Sequence, residues 1–227
     1  MMNKLLSTEL IWQKLAKKID LKAFCKEQIL ANKWDNSTIE LTGGSDLDLL
    51  ALISEGNKAL ETVKFSLSGS GAKLKLTLIV IGKSTEKFNL KTICEHVTAD
   101  TEAEITVKAV LFDHSELDYL GNIAVSADGH GTKTNLNCQT LLMSHGARAK
   151  TIPSLEIIAN DVKASHAASV GRVDDELLFY LESRGYDLET AQKLLIEGFL
   201  RDALKGLDEK QREAVWQNIL ELLPIKL

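Results

Sequence analysis

Four histidines, His96, His114, His130 and His145, follow one another at short and nearly even intervals. Lines begun at each read HVTADTEAEITVKAVLFD, HSELDYLGNIAVSADG, HGTKTNLNCQTLLMS and HGARAKTIPSLEIIAND. At a similar offset each line carries one alternating segment: Ile105/Val107/Ala109/Leu111, Ile123/Val125/Ala127, Leu136/Cys138/Thr140/Leu142 and Leu155/Ile157/Ala159. Alternation with period two is the pattern of a half-buried strand. A repeat this short, one strand plus turns, cannot bury its apolar face alone. It is stable only when stacked on its neighbours, which is the condition of a rung in a β-solenoid. The pattern extends upstream through Ile39/Leu41, Val63/Phe65/Leu67 and Leu74/Leu76/Leu78/Val80. Clusters such as Gly43-Gly44-Ser45, Ser68-Gly69-Ser70-Gly71, Asp128-Gly129-His130-Gly131 and His145-Gly146 supply the turns. A two-sheet antiparallel sandwich is the competing arrangement.

Helical spacing replaces alternation at both ends. Leu10, Ile11, Leu15 and Ile19, then Asp20 as a cap and an apolar-striped Leu21 to Leu30, predict two short helices at the N-terminus. After Val173 three helices are expected. The first starts at Asp174 and runs through Leu177, Leu178 and Leu181 to Gly185, and the second runs from Asp187 to Phe199. The third opens on Asp208 with Gln211 as a capping box. The expected fold is a mainly β chain with a right-handed parallel β-solenoid (β-helix) core, short N-terminal helices and a C-terminal helical tail. The expected boundaries are residues 1–35, 36–165 and 166–227.

With 227 residues, 44% of them hydrophobic, the chain can bury a sizeable core. Its net charge of -5 argues against nucleic acid or an anionic membrane as the main partner. The N-terminus breaks its apolar character at Ser7-Thr8-Glu9, so a cytoplasmic location is expected. Cys25, Cys94 and Cys138 are odd in number and far apart along the chain, which suits neither a disulfide framework nor a paired-cysteine metal site. Reduced thiols are expected, with Cys138 in the core because it shares the parity of Leu136 and Leu142. The chain lacks Gly-x-Ser-x-Gly and His-Glu-x-x-His, and Gly82-Lys83-Ser84 lacks the upstream glycine of a phosphate loop. The reading is therefore non-enzymatic, and any ATP used is hydrolysed by another chain.

Two constellations remain. His166, in DVKASHAASVGR, can donate an imidazole lone pair to a metal, or it is simply a turn residue where β gives way to helix. The four repeat histidines sit among polar turn residues and are expected to be solvated. Phe179, Tyr180, Arg184 and Phe199 give the aromatic and guanidinium mix enriched at interface hot spots, although Phe179 and Phe199 serve equally well to pack the tail together. SLEIIA, from Ser154 to Ala159, is apolar and close to the end of the coils, where an open strand edge invites pairing. Leu155 and Ile157 are therefore expected in a dimer interface.

The run LLMSHGARAKTIPSLEIIANDVKASHAASVGRVDDELLFYLESRGYDLETAQKLLIEGF resembles the C-terminal region of the SufB/SufD proteins of Suf iron–sulfur cluster assembly. The shared features, in order, are the apolar LLMS strand, Pro-x-Leu-Glu-Ile, Asp-Val-Lys before a small-residue stretch with His, Phe-Tyr-Leu-x-Ser-Arg-Gly and a late Gly-Phe. The likeness is good from about His96 onward and weaker before it, and it marks a shortened, SufD-like member. It implies a β-solenoid scaffold that pairs with itself or a SufB/SufD relative and docks a SufC-like ATPase through its C-terminal helices. Where SufB carries a cysteine implicated in sulfur handling, this chain has Ala147, and where SufB has a glutamate beside the shared histidine it has Ala167. The SufD cysteine two positions before that histidine is here Ala164. His166 alone survives. The isolated chain is thus expected to bind no cofactor, with a transient cluster only in a complex. The competing functional class is a β-solenoid carbohydrate-active enzyme or glycan-binding protein, which needs carboxylates in register and aromatic platforms. Trp12, Trp34 and Trp216 all lie outside the expected strands. A third reading is a degenerate relative kept as a structural subunit.

Overall fold

The computed structural model describes residues 13–14, 18–21, 26–34 and 36–225, with side chains from residue 31 onward. Among the described residues thirteen strands precede three helices. In chain order they are β1 (Gln13–Lys14), β2 (Lys18–Leu21), β3 (Lys26–Lys33), β4 (Ser37–Leu41), β5 (Asp46–Ile53), β6 (Asn57–Leu67) and β7 (Lys73–Gly82). Then come β8 (Lys87–His96), β9 (Glu102–Leu111), β10 (Glu116–Val125), β11 (Thr132–Leu142), β12 (Arg148–Ile157) and β13 (Val162–Arg172). Odd-numbered strands form one sheet and even-numbered strands the other, each in sequence order, and every described pairing is parallel. That is a solenoid, and it excludes the antiparallel sandwich.

The histidine-to-histidine repeat is half a coil. Lys73 pairs with Glu102 and Glu102 with Lys133, so a full turn takes in one strand from each sheet. Register stacks like on like through the lumen. One column of the odd sheet reads Leu49, Leu76, Ile105, Leu136. Two columns of the even sheet read Ile39, Phe65, Cys94, Ile123 and Leu41, Leu67, His96, Val125. All these side chains are fully or almost fully buried.

Three expectations change. Lys18–Leu21 and Lys26–Lys33 are strands that extend the two sheets, not helices: their neighbours β4 and β5 offer parallel ladders, and pairing outweighs a helical stripe. The other residues of the expected N-terminal helices lie outside the described ones. The solenoid runs on to Arg172, because the small-residue stretch around His166 is the strand β13. His96 is not solvated: it ends β8 fully buried, whereas His114, His130 and His145 are exposed turn residues.

The tail is α1 (Asp175–Ser183), α2 (Leu188–Leu200), a 3-10 turn (Arg201–Leu204) and α3 (Glu209–Leu222). Asp174, Asp187 and Asp208 cap the three helices, and Asp208 with Gln211 completes the capping box. Beyond the lumen there is a second apolar core. Leu50, Leu52, Ile79, Ile81, Val110 and Phe112 point outward from the odd sheet into Ile196, Leu200, Leu204, Val215 and Ile219. The strands β5 and β7 are therefore buried on both faces, which explains their unbroken apolar runs LLALI and LIVI.

Candidate functional site

The lumen columns all end at one open face. Register places His166 on Leu136, Leu155 on Ile123 and Ile157 on Val125, so these three residues are the last members of otherwise buried columns. His166 is exposed, Ile157 is 40% exposed, and Leu155 packs against the core while remaining half-buried. Val170, stacked on Thr140, is 43% exposed. The imidazole is accordingly a lumen-parity side chain at the mouth of the solenoid, not a turn residue at a border.

Around the mouth, Ala164 stacks on Thr134 and Ala168 on Cys138, whereas Ala167 has the opposite, outward parity. Ala147 is buried in the lumen core between β11 and β12. Thr134 and Thr140 present buried hydroxyls with no hydrogen-bond partner in the structure, leaving polar capacity beside an apolar rim. The Cys138 thiol is pushed up to about 12 by burial, so it stays protonated at neutral pH and behaves as a small core residue. Deeper in the lumen, Cys94 Sγ lies 3.7 Å from His96 Nε2, and His96 Nδ1 lies 2.8 Å from Thr101 Oγ1. Burial raises the Cys94 thiol and lowers His96 to about 4, holding both neutral. Among the described residues no group of three or more His, Cys, Asp or Glu side chains could hold a metal ion.

The tail residues divide in two. Phe199 packs on the second core, its ring 4.3 Å from the Lys108 ammonium, which also donates to Gln139 Oε1. Phe199 thus holds the tail to the solenoid. Phe179 is 72% exposed and Tyr180 50%, with the Arg184 guanidinium 5.1 Å from the Tyr180 ring. Leu178 is the buried residue of α1 and Leu181 is half-buried, while the remaining residues of that helix are exposed.

The family model for the SufBD core domain of SUF-system FeS cluster assembly matches residues 15–199, spanning the solenoid from β2 onward, α1 and nearly all of α2. The chain belongs to the SufB/SufD family. Similar curated proteins include the iron-sulfur cluster assembly protein SufD of Escherichia coli (strain K12), 33% identical over 159 residues that make up 70% of this chain and 38% of that one. SufB of Bacillus subtilis (strain 168) is 31% identical over 143 residues, 62% of this chain and 30% of that relative. A SufBD family protein of Pyrococcus horikoshii is 37% identical over 100 residues, 44% of this chain and 22% of that relative. The chain thus spans well under half the length of these relatives. Among the described residues no helix is long and apolar enough to cross a membrane.

The columns ending in His166, Leu155 and Ile157 could be assembled only from the register. Alternation in β12 gave the parity of Leu155 and Ile157. The sequence of β13, rich in Ala and Ser, carries no such signal for His166.

Proposed function

We propose that this chain is a non-enzymatic scaffold subunit of Suf-type iron–sulfur cluster assembly. It pairs with itself or a SufB/SufD relative through the open end of its solenoid, and it docks a SufC-like ATPase through the exposed face of its helical tail. The observation that carries the reading is the uncapped lumen: the core columns end in exposed His166, Ile157 and Val170, on two strands with no further neighbour among the described residues. Solenoids protect such ends with capping structure, and an unprotected one is completed by another chain. A cluster is cargo here. One imidazole cannot hold it, since clusters are anchored by several ligands, so His166 completes a site whose other donors come from the paired chain.

ATP hydrolysis falls to the partner because this chain has no phosphate loop. Phe179, Tyr180 and Arg184 supply an aromatic and cationic contact surface. The test is capture of a purified SufC-like ATPase by immobilised chain. Arg184→Glu is expected to weaken capture about ten-fold or more while leaving circular dichroism and melting nearly unchanged, because Arg184 is exposed. Undiminished capture would reject docking through this face.

A further inference from the structure

Two strands in from the open edge of the even sheet, β8 brings a sulfur and a nitrogen donor together. Cys94 and His96 are two residues apart on that strand, so both point into the lumen. Phe65 and Ile123 flank Cys94 in its column, and Leu67 and Val125 flank His96. Both side chains are fully buried, with Cys94 Sγ 3.7 Å from His96 Nε2. The imidazole is held by its other nitrogen. Thr101 Oγ1 donates to Thr98 O at 3.4 Å, so the same oxygen, 2.8 Å from Nδ1, accepts from Nδ1–H and leaves the Nε2 lone pair facing the thiol. A metal-ligating histidine is fixed in this way, its second ring nitrogen donating to a neighbouring oxygen. Cys138 lacks such company, since it lies between Val107 and Ala168 in its own column.

We propose that Cys94 and His96 form a binding site for a soft monovalent d10 cation, the cuprous or silver ion, held between Sγ and Nε2. The site is separate from the pairing and docking surfaces put forward above and needs neither of them. Metal–sulfur and metal–nitrogen bonds of about 2.3 and 2.0 Å span at most about 4.3 Å, so donors at this separation already straddle one ion.

The charge of the lumen selects the ion. Binding sends the thiol proton to solvent, and the pair changes from thiol and neutral imidazole to thiolate, cation and neutral imidazole. A monovalent ion therefore adds no net charge to an apolar core, whereas a divalent ion leaves one unit uncompensated there. Ligand number selects in the same direction. Zinc asks for four ligands, and the described residues supply no third His, Cys, Asp or Glu to this pair. Thiolate sulfur favours the cuprous ion, which is content with two donors.

Silver ion is the probe, because it is monovalent, d10 and stable in air. In the whole chain, Cys25→Ser with Cys138→Ala leaves Cys94 as the only thiol. Refolded from urea with silver ion in chloride-free buffer and then dialysed, this protein should retain one ion per chain and release one proton per ion. Refolding in its presence removes slow entry into the lumen as an obstacle. Silver should also raise the melting temperature, because only the folded lumen brings the two donors together. Cuprous ion under nitrogen, in competition with bicinchoninate, should bind with the same stoichiometry, and zinc should not bind. His96→Gln should weaken silver binding at least about 100-fold, and Thr101→Val, which frees the ring to turn, about ten-fold. X-ray absorption of the silver-loaded Cys25→Ser protein, whose lumen is untouched, should show one sulfur and one nitrogen neighbour. Undiminished binding by His96→Gln or by Cys94→Ser overturns the site, as does a spectrum with no nitrogen neighbour. Zinc bound as tightly as silver overturns the selection by charge.

Discussion

At the scale of single residues, His96 shows how a lumen treats a titratable group. It is fully buried and its imidazole is depressed to about 4, with desolvation as the cause. The folded state therefore holds it neutral, while the unfolded chain protonates it at the ordinary histidine value near 6.5. Its contribution is whole above the unfolded value and drains away as pH falls from there towards 4. The expected loss is about 2–3 kcal/mol between about pH 7 and pH 4.5. Urea unfolding of the wild type against His96→Gln at both pH values measures it: the gap between the two proteins should shrink at low pH by that amount. His166 is the opposite case, exposed on the rim of the lumen. His166→Ala should melt within about 0.5 kcal/mol of the wild type, yet lower cluster retention in a reconstituted partner complex. Equal retention, read from the visible absorbance, would leave His166 without a role in cluster binding. The two histidines were unevenly legible in the sequence. His96 looked like its three turn-bound counterparts because a valine and threonine follow it, and only register shows that it shares a column with Leu67 and Val125.

At the scale of elements, alternation revealed most of the strands, β7 among them although both its faces are buried, and missed β5 and β8. β6, β9, β10 and β11 were legible, as were all three helix caps, since each rests on local chemistry. β5 was not legible as a strand, because its outward Leu50 and Leu52 are covered by helices from the far end of the chain. The turns were also legible, but not how closely they stack. A Cβ on Gly69 would overlap the Gly43 N and Cα, backbone atoms with no freedom to yield. Gly69→Ala should therefore cost about 2 kcal/mol or more, because two coils must part at that corner. The urea midpoint reads this directly. The control, Gly198→Ala on α2, meets nothing within 4 Å and should be neutral or slightly stabilising.

At the scale of the whole molecule, the tail and the solenoid share one core. Ile219 is fully buried among residues of both. Ile219→Asp, which sets a carboxylate there, should cost about 3 kcal/mol or more and release the tail. Limited proteolysis should then cut after Val173, and the remaining β body should bind a hydrophobic dye. A variant that kept its protease resistance and bound no dye would show that the tail is held elsewhere.

That shared core also imposes an order in time. Ile79 and Ile81 leave the ribosome well before Val215 and Ile219, which cover them. At ordinary rates of synthesis the interval is on the order of ten seconds. Through that interval the outer face of the odd sheet is a bare aliphatic surface on a chain whose lumen is already stacking. The nascent protein is then most prone to aggregate, and a ribosome-associated holdase would find its binding surface on β5 and β7.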